Sequence, residues 1–404
     1  MSIEFTNDSP GVSDVPGFRV GAAGCDIRHK STDRLDLTLV VADRPCAAAG
    51  VFTTNDVKAA PVRFCQQVLA VSADKIRGIV GNSGNANACT AAQGDDDAVA
   101  MAKLSAAAVG APDDAFLVCS TGRIGELLPM AKVAEGIKVS ASRLTRDAAE
   151  GVRSANAILT SDTRPKSVTA RFVWEGKAVT IAGIAKGAGM IEPNMATLIT
   201  LIFTDAEISS PDLQTMFQRV IARTFNCVSV DTDTSTSDTA IVLASGKAGK
   251  ADMAALEHAL FDVALSLTKQ VARDGEGAEK LIEVCVDNAR DYEQAKTVAK
   301  AIVNSPLVKT AVHGADPNWG RVAMAVGKCS QYTDIDQASV IIRFGTQEVY
   351  PRQIGADDLS ALSTYMKGSD VRIHVDLNTG TDSATVWGCD LTAGYVRINA
   401  DYTT

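Results

Sequence analysis

The sequence predicts a layered α/β fold of the α+β type, in which stacked β-sheets are flanked by helices. Runs of β-branched residues bounded by turn residues recur along the chain and are typical of strands. Alanine-rich stretches with apolar residues at helical spacing lie between those runs. The 404 residues are 46% hydrophobic, so the chain can bury more than one compact layer of core.

Each predicted element follows from its local pattern. The β-branched runs place strands at Leu37–Val41, Ile76–Val80, Phe116–Cys119, Val179–Ile184, Thr197–Phe203, Val228–Val230, Ala240–Leu243, Leu281–Val286, Val340–Phe344, Val371–Val375 and Ala384–Trp387. The helical periodicity places helices at about 91–109, 129–138, 142–157, 210–225, 252–273, 291–304, 319–328 and 355–367. Strands and helices are mixed irregularly, which indicates an α/β or α+β layered fold.

Charge and cysteine usage restrict the class of protein. The chain has 39 basic and 48 acidic residues without long runs of one sign, which argues against a nucleic-acid or anionic-membrane surface and favours small soluble ligands. The N-terminus has no secretory signal pattern, and no apolar stretch is long enough to span a bilayer. The nine cysteines include no C-x-x-C pair, so we expect buried thiols in a reducing, cytoplasmic protein.

Thr197 lies between a glycine-rich segment and an apolar strand, near the middle of the chain. Cleavage of the Ala196–Thr197 bond would give this threonine an α-amine with a reference pKa of roughly 7.7–8.0. That amine can act as general base for the threonine hydroxyl. The pattern therefore suggests a precursor that cleaves itself into segments 1–196 and 197–404, and the apolar strand after the junction predicts that the two segments share one core.

Two polar segments follow predicted strands and are candidates for ligand binding. In the segment 119–125, we expect a tight exposed turn where the Thr121 hydroxyl and the Gly122 amide can stabilise an oxyanion. An ordinary turn with Ser120 or Thr121 as helix N-cap is the alternative. The segment 81–90 is rich in glycine and asparagine, which fits either a ligand-binding loop or a plain turn.

Further segments carry charged or metal-binding residue types. Glu276 stands between two glycines after a long helix, where its carboxylate can recognise a substrate ammonium or merely form a solvated cap. The acidic segment 231–239 lacks the glycine and glutamate of an EF-hand, so we expect a hydrogen-bonded loop without a metal. His313 is expected to have a packing or supporting role, and His29, His258 and His374 lack zinc spacing.

Eight motifs occur in order along nearly the whole chain. They are N-S-G-N-A-N-A-C-T at 82–90, C-S-T-G-R-I-G at 119–125, T-S-D-T-R-P-K at 160–166, K-G-A-G-M-I-E-P-N-M-A-T at 186–197, D-T-D-T-S-T-S-D-T at 231–239, D-G-E-G-A at 274–278, H-G-A-D-P-N-W-G-R at 313–321 and Y-V-R-I-N-A-D-Y-T-T at 395–404. Together they resemble the ornithine acetyltransferase family of arginine biosynthesis, from about Gly17 to Thr404.

This resemblance implies a transfer of acetyl from N2-acetylornithine to glutamate, after self-cleavage between Ala196 and Thr197. It implies α and β chains in an α2β2 heterotetramer, no cofactor, and a fold similar to that of self-processing aminopeptidases with an N-terminal nucleophile. Thr197 is then the nucleophile, and Thr121 and Gly122 form the oxyanion hole. The resemblance assigns the substrate site to Thr160, Lys186, Thr197, Glu276, Asn399 and Thr404.

Charge complementarity suggests that Lys186 binds the substrate α-carboxylate and that Glu276 binds the ornithine ammonium. The chain departs from the family pattern at Ser161, Glu192 and Thr232, none of them a residue assigned to catalysis. One alternative is an amidase or aminopeptidase of the same type, with water as acceptor. Another is an uncleaved binding protein. The motifs leave open whether acetyl-CoA also serves as a donor, because mono- and bifunctional members share them.

Overall fold

The computed structural model describes residues 3–28, 33–192 and 198–401. The strands are β1 (Glu4–Asn7), β2 (Phe18–Ala23), β3 (Leu37–Phe52), β4 (Ile76–Asn85), β5 (Phe116–Arg123), β6 (Lys166–Trp174), β7 (Lys177–Lys186), β8 (Ile199–Glu207), β9 (Val228–Ser229), β10 (Thr239–Lys250), β11 (Leu281–Ala289), β12 (Ile341–Phe344), β13 (Gln347–Tyr350), β14 (Asp370–Asp376) and β15 (Asp382–Cys389). The α-helices are α1 (Ala60–Ser72), α2 (Ala91–Val109), α3 (Met130–Ser142), α4 (Ala148–Ala157), α5 (Ser210–Arg223), α6 (Met253–Arg273), α7 (Tyr292–Val303), α8 (Pro306–His313), α9 (Trp319–Gly327), α10 (Ala356–Met366) and α11 (Ala393–Asp401).

These elements belong to two compact units. The first unit comprises the described residues within Met1–Phe225 and Asp233–Leu267, and the second comprises those within Asn226–Thr232 and Thr268–Thr403. The expected cleavage point at residues 196 and 197 lies outside the described residues. The division into segments 1–196 and 197–404, with one shared core, therefore stays a prediction.

The first unit is built on the long strand β3, whose two halves pair with different strands and so belong to two stacked layers. Strand order in its nine-stranded sheet is β1-β6-β7-β8-β10-β3-β4-β5, with β2 also paired to β3. The C-terminal part of β3 pairs with β10, whereas its N-terminal part pairs with β2 and β4. The Phe18 and Phe203 rings meet edge to face with centroids 5.0 Å apart, joining β2 to β8 across the layer.

Helices cover the outer faces of these stacked sheets. Met101 of α2 and Val133 of α3 belong to the same buried cluster as Val80 and Phe116 of strands β4 and β5. On the other side α6 lies against β7, where a Cβ at Gly183 would come within 2.8 Å of the Leu267 side chain. Helix, sheet, sheet and helix thus form successive layers within this unit. The predicted layered α/β class with stacked sheets is confirmed.

The second unit contains a smaller sheet with its own helices. Its six strands have the order β13-β12-β14-β11-β15-β9. Helix α7 packs on β11 and β15, and its Val298 and Ile302 are fully buried, as are Val284 and Val386 of those strands. The alternation of buried and exposed residues along β14 is typical of a sheet with one face in the core.

Most predicted elements occur near their predicted positions, but the prediction of a helix from residue 142 is wrong. Helix α4 begins at Ala148 because Thr145 exchanges two backbone hydrogen bonds with Val20 of β2 and so cannot be helical. The sequence analysis also missed the strands β1, β2, β6 and β13 and the helices α1, α8 and α11.

The structure can be compared with the predictions that the cysteines are buried thiols and that no segment spans a bilayer. All nine cysteines are free thiols, and six are buried. The expectation of buried thiols is wrong for Cys89, which is exposed in the turn before α2, and Cys25 and Cys285 are half-buried. None of the helices in the described part of the chain has the length and apolarity needed to cross a bilayer.

The stacking of the two sheets predicts a large cost for truncating Phe203. The substitution Phe203→Ala should lower the free energy of unfolding by about 3–5 kcal/mol, because the ring is fully buried between the sheets. Urea unfolding followed by circular dichroism measures this loss. Val173→Ala on β6, where the side chain is 60% exposed, should change it by less than about 0.5 kcal/mol. Equal losses in the two variants would contradict the assigned packing.

Candidate active site

The expected oxyanion residues lie in a buried strand. Strands β4 and β5 run parallel and end together, with Ser83 opposite Thr121 and Gly84 opposite Gly122. The predictions of an exposed turn at 121–122 and of a loop from residue 81 are therefore wrong, since β4 continues to Asn85 and β5 to Arg123. Two asparagines anchor the strand end, since the Asn82 amide donates to the Asn85 carbonyl at 2.9 Å and the Asn85 amide donates to the Glu126 carbonyl at 3.0 Å.

Gly122 occupies a position that requires glycine. Its φ of 134° is disfavoured for residues with a side chain. A Cβ there would lie 2.3 Å from the carbonyl carbon of Gly84 and 2.5 Å from the backbone nitrogen of Asn85. The close approach of β4 and β5 at Thr121 and Gly122 therefore depends on the missing side chain.

Lys186 is buried at the end of β7 and reaches the same strand. Its side chain is 2% exposed, and its Nζ donates to the Thr121 Oγ1 at 3.4 Å. A hydroxyl that accepts a hydrogen bond from an ammonium keeps its own proton for a different acceptor. The contact thus prepares the Thr121 hydroxyl to act as a donor.

Asp162 is the carboxylate that accompanies this buried lysine. Its Oδ1 lies 2.7 Å from the Lys166 Nζ, and its Oδ2 lies 4.0 Å from the Lys186 Nζ. Its oxygens also accept from the backbone amides of Gly187 at 2.6 Å and Thr160 at 3.0 Å. Burial alone would raise the pKa of Asp162, but the two lysine charges outweigh burial and hold the pKa well below its ordinary value.

Thr160 is positioned by both of its backbone polar groups. Its amide donates to Asp162, and its carbonyl accepts from the Arg34 guanidinium at 2.6 Å. Thr160 and Lys186 therefore meet at one carboxylate, which the sequence analysis had not assigned, and Thr121 joins them through Lys186. The signal available in the sequence was the T-S-D-T-R-P-K motif, which contains both Asp162 and Lys166.

In the second unit the structure brings Glu276 and Asn399 together. Glu276 is 8% exposed, and its Oε2 accepts from the Asn399 Nδ2 at 2.9 Å. Gly277 follows with a φ of 68°, and a Cβ there would lie 2.4 Å from the backbone nitrogen of Tyr395. The glycine thus lets α11 lie against the turn that carries Glu276. The interpretation of Glu276 as a solvated cap is wrong, because packing removes the carboxylate from water.

The acidic loop before β10 is hydrogen-bonded, as expected. The Thr53 hydroxyl donates to the Ser235 carbonyl at 2.7 Å, and the Asn55 amide donates to the Thr234 carbonyl at 2.8 Å. The last acidic residue of the loop, Asp238, is fully buried and accepts from the Leu198 amide at 2.8 Å. The sequence analysis had given Asp238 no role.

His313 has the supporting contact that was expected for it. Its Nδ1 lies 3.1 Å from Asp390 Oδ2, while Asp390 Oδ1 accepts the amides of Glu279 and Lys280, each at 2.9 Å. Glu279, His313 and Asp390 form the group of potential metal ligands found among the described residues. The hydrogen bonds of the fully buried Asp390 side chain account for this arrangement without an ion.

The remaining expected site residues, Ala196, Thr197 and Thr404, lie outside the described residues.

Comparison with known proteins identifies the family of this chain. The model of the ArgJ family matches residues 19–404. Glutamate N-acetyltransferase Oat2 of Streptomyces clavuligerus is 48% identical over 395 residues, covering 96% of this chain and 98% of that protein.

The arginine biosynthesis bifunctional protein ArgJ 2 of a Nostoc species is 49% identical over 388 residues, covering 96% of this chain and 97% of its own. The chain belongs to the ArgJ family. A solved structure, the ornithine acetyltransferase of Mycobacterium tuberculosis complexed with ornithine, is 36% identical to this chain. The match covers 49% of this chain and 100% of that one, with a TM-score of 0.44. The family predicted from the eight motifs, and with it the transferase class, is confirmed.

The packing at Gly122 predicts that this ArgJ-family chain does not tolerate alanine there. Gly122→Ala should lower the free energy of unfolding by about 2–5 kcal/mol, because the new Cβ meets backbone atoms at an already disfavoured φ. Gly125→Ala is the matched control. It also has a positive φ, 86°, but nothing lies within 4 Å of its Cβ, so about 1 kcal/mol is expected. Similar denaturant midpoints for the two variants would contradict the close approach of β4 and β5.

Proposed function

We propose that the chain transfers an acetyl group from N2-acetylornithine to glutamate through an ester on Thr197. The observation that carries the proposal is the buried contact between the Lys186 ammonium and the Thr121 hydroxyl, beside the glycine-only position 122, in a member of the ArgJ family. The names of the relatives, glutamate N-acetyltransferase and arginine biosynthesis bifunctional protein, support the same acceptor and pathway.

In the proposed precursor, the Thr197 hydroxyl attacks the Ala196 carbonyl carbon and the peptide nitrogen leaves as an α-amine. The chain is then held by an ester between Ala196 and the Thr197 oxygen. Water hydrolyses this ester, which leaves a carboxylate on Ala196 and a free amine and hydroxyl on Thr197. Self-cleavage thus creates the nucleophile together with its base.

In the proposed mature enzyme, the Thr197 oxygen attacks the acetyl carbonyl of acetylornithine while its own α-amine takes the hydroxyl proton. Collapse of the tetrahedral intermediate returns that proton to the leaving nitrogen and releases ornithine. The amine of glutamate then attacks the acetyl ester and regenerates Thr197. The two half-reactions give a ping-pong scheme.

The Thr121 hydroxyl and the Gly122 amide are the proposed donors to the oxyanion. Because the Thr121 oxygen already accepts from Lys186, its proton is available to a developing negative charge. Donors oriented before the reaction begins stabilise the transition state more effectively than mobile water does. The buried position of Thr121 suits such a role.

Charge complementarity supports the proposed substrate contacts. Lys186 provides the cation for the α-carboxylate that both amino acids carry, and Glu276 provides the anion for the side-chain ammonium of ornithine. Thr160, Asn399 and Thr404 complete the proposed substrate site. We further propose an α2β2 assembly of the cleaved chains, a cytoplasmic location and no cofactor.

Acetyl transfer by the purified protein tests this function. Incubation with N2-acetylornithine and glutamate should yield N-acetylglutamate and ornithine in equal amounts, measured by mass spectrometry. Thr197→Ala should abolish both transfer and the two-fragment pattern on denaturing gels, because one residue supplies the cleavage and the acetyl carrier. Thr204→Ala, a buried threonine further along β8, should retain both activities.

Different outcomes would point to other functions. Acetate release that does not depend on glutamate would favour an amidase, and a persistently full-length wild-type chain would favour a binding protein. Replacing acetylornithine by acetyl-CoA in the same assay shows whether that donor is also used.

Glu276→Gln tests recognition of the ornithine side chain. Loss of the carboxylate charge should raise KM for acetylornithine about 10- to 100-fold, since a charged hydrogen bond contributes about 1.5–3 kcal/mol. KM for glutamate, which has no side-chain ammonium, should not rise. Glu279→Gln removes a carboxylate that is 65% exposed three residues later and should leave both constants unchanged. An equal rise for both substrates with Glu276→Gln would refute the assignment.

A further inference from the structure

Asp238 immediately precedes β10, beside the start of β8. Strands β8 and β10 are parallel, with Thr239 opposite Ile199. The Thr239 amide donates to the Leu198 carbonyl at 3.0 Å, and the Leu198 amide donates to Asp238 Oδ1 at 2.8 Å. The carboxyl group of Asp238 therefore contacts the backbone of the residue that follows Thr197.

The second carboxyl oxygen, Asp238 Oδ2, is buried without a hydrogen bond among the described residues. The side chain is fully buried, and its Oδ2 has no hydrogen-bond partner within the part of the chain that the structure describes. Buried polar atoms in native proteins are nearly always bonded, so such an atom calls for a functional explanation. Burial raises the pKa of Asp238 well above its ordinary value, and the Leu198 amide, the Thr53 hydroxyl and the Lys186 charge offset only part of that effect. A further positive charge beside the carboxyl group would lower this pKa and favour the carboxylate.

A partner for this oxygen would be created by cleavage. The α-nitrogen of residue 197 is three covalent bonds from the Leu198 nitrogen, a span of at most about 3.7 Å. We propose that Asp238 is a positioning residue that binds the α-amine of Thr197 in the cleaved enzyme. This inference rests on the proposed function, and it names the group that holds the base of that mechanism.

In the proposed arrangement, Asp238 Oδ2 accepts a hydrogen bond from the Thr197 α-amine. That bond directs the nitrogen lone pair toward the threonine hydroxyl. When the hydroxyl oxygen attacks the acetyl carbon, its proton moves to the amine, and the carboxylate stabilises the ammonium that forms. The same proton passes to the leaving nitrogen when ornithine departs, so the transfer needs no proton exchange with Asp238.

A purely structural role must be separated from this one, and Asp205 supplies the comparison. Asp205 is also buried, with 2% of its surface exposed. It lies near the opposite end of β8, and its Oδ1 accepts a hydrogen bond from the Thr180 amide at 2.8 Å. Burial raises its pKa to about 6. Asp205→Asn therefore changes a similar carboxyl group in the same sheet, far along the strand from residue 197.

The substitution Asp238→Asn keeps an oxygen for the Leu198 amide but removes the negative charge facing the amine. The variant should still cleave itself, while kcat of the cleaved enzyme for acetyl transfer falls about 10- to 100-fold with unchanged KM values. Cleavage is quantified by intact mass, and rates are normalised to cleaved chain. Asp205→Asn should keep wild-type cleavage, kcat and KM.

The pH profile gives a second readout. Within the described residues, Lys186 on β7 is the charged group whose field reaches Asp238, whereas Leu198 on β8 and Thr53 after β3 contribute neutral groups. Removing the carboxylate destabilises the ammonium form of Thr197, so its pKa falls. The acidic limb of kcat/KM should therefore shift to lower pH in Asp238→Asn and remain in place in Asp205→Asn.

Several results would overturn the inference. These are an unchanged kcat, an effect on KM alone, or a folded but uncleaved Asp238→Asn chain, since the carboxyl would then act before the amine exists. If that variant does not fold, a crystal structure of cleaved wild-type protein decides. The Thr197 nitrogen should lie within about 3.3 Å of Asp238 Oδ2, and a separation above about 4.5 Å rejects the pairing.

Failure of the proposed function looks different. Cleaved wild-type enzyme would then transfer no acetyl group, and the crystallographic distance would still test Asp238. A wild-type chain that never cleaves overturns both proposals.

Discussion

The candidate site depends on keeping two lysine ammonium groups out of water beside one carboxylate. Lys166 begins β6 and Lys186 ends β7, and because these strands are antiparallel the two side chains reach the same region. Isolated buried charges are strongly unfavourable, but Asp162 lies between the two cations and accepts two backbone amides as well. The charge cluster therefore orients the loop at Thr160 and the amide after Lys186 together.

Strand register explains why this cluster lies where the proposed chemistry occurs. Lys186 is opposite Ile199 in the antiparallel pair β7–β8, and Ile199 is opposite Thr239 in the parallel pair β8–β10. The end of one strand and the starts of two others thus meet at one edge of the sheet. Thr121 reaches Lys186 from β5. Strand pairing thus makes neighbours of residues that are far apart in the sequence.

Within the second unit, packing orients one carboxylate. Glu276 is buried against α11 and bonded to Asn399, so its carboxylate has a defined orientation within that unit. The amide of Asn399 can turn either a donor or an acceptor toward a ligand.

The amino-acid sequence by itself determined the family, the layered α/β class and most helices and strands. Long regular patterns such as Ala91–Val109 need no tertiary context, and eight ordered motifs identify a family even when each motif is weak. The sequence did not indicate that Thr121 is buried in a strand, because Ser-Thr-Gly is typical of exposed turns. Only the parallel pairing with β4 places it in the core.

The tertiary structure alone decided the roles open to Asp162, Lys166 and Asp238. Each is an ordinary charged residue in a polar motif, and a local pattern does not report which distant group it will meet. Lys166 and Lys186 are 20 residues apart and share one carboxylate through antiparallel pairing. Leu198 and Asp238 are 40 residues apart and meet through parallel pairing. Burial and long-range register assign these partners, and both are properties of the assembled sheets.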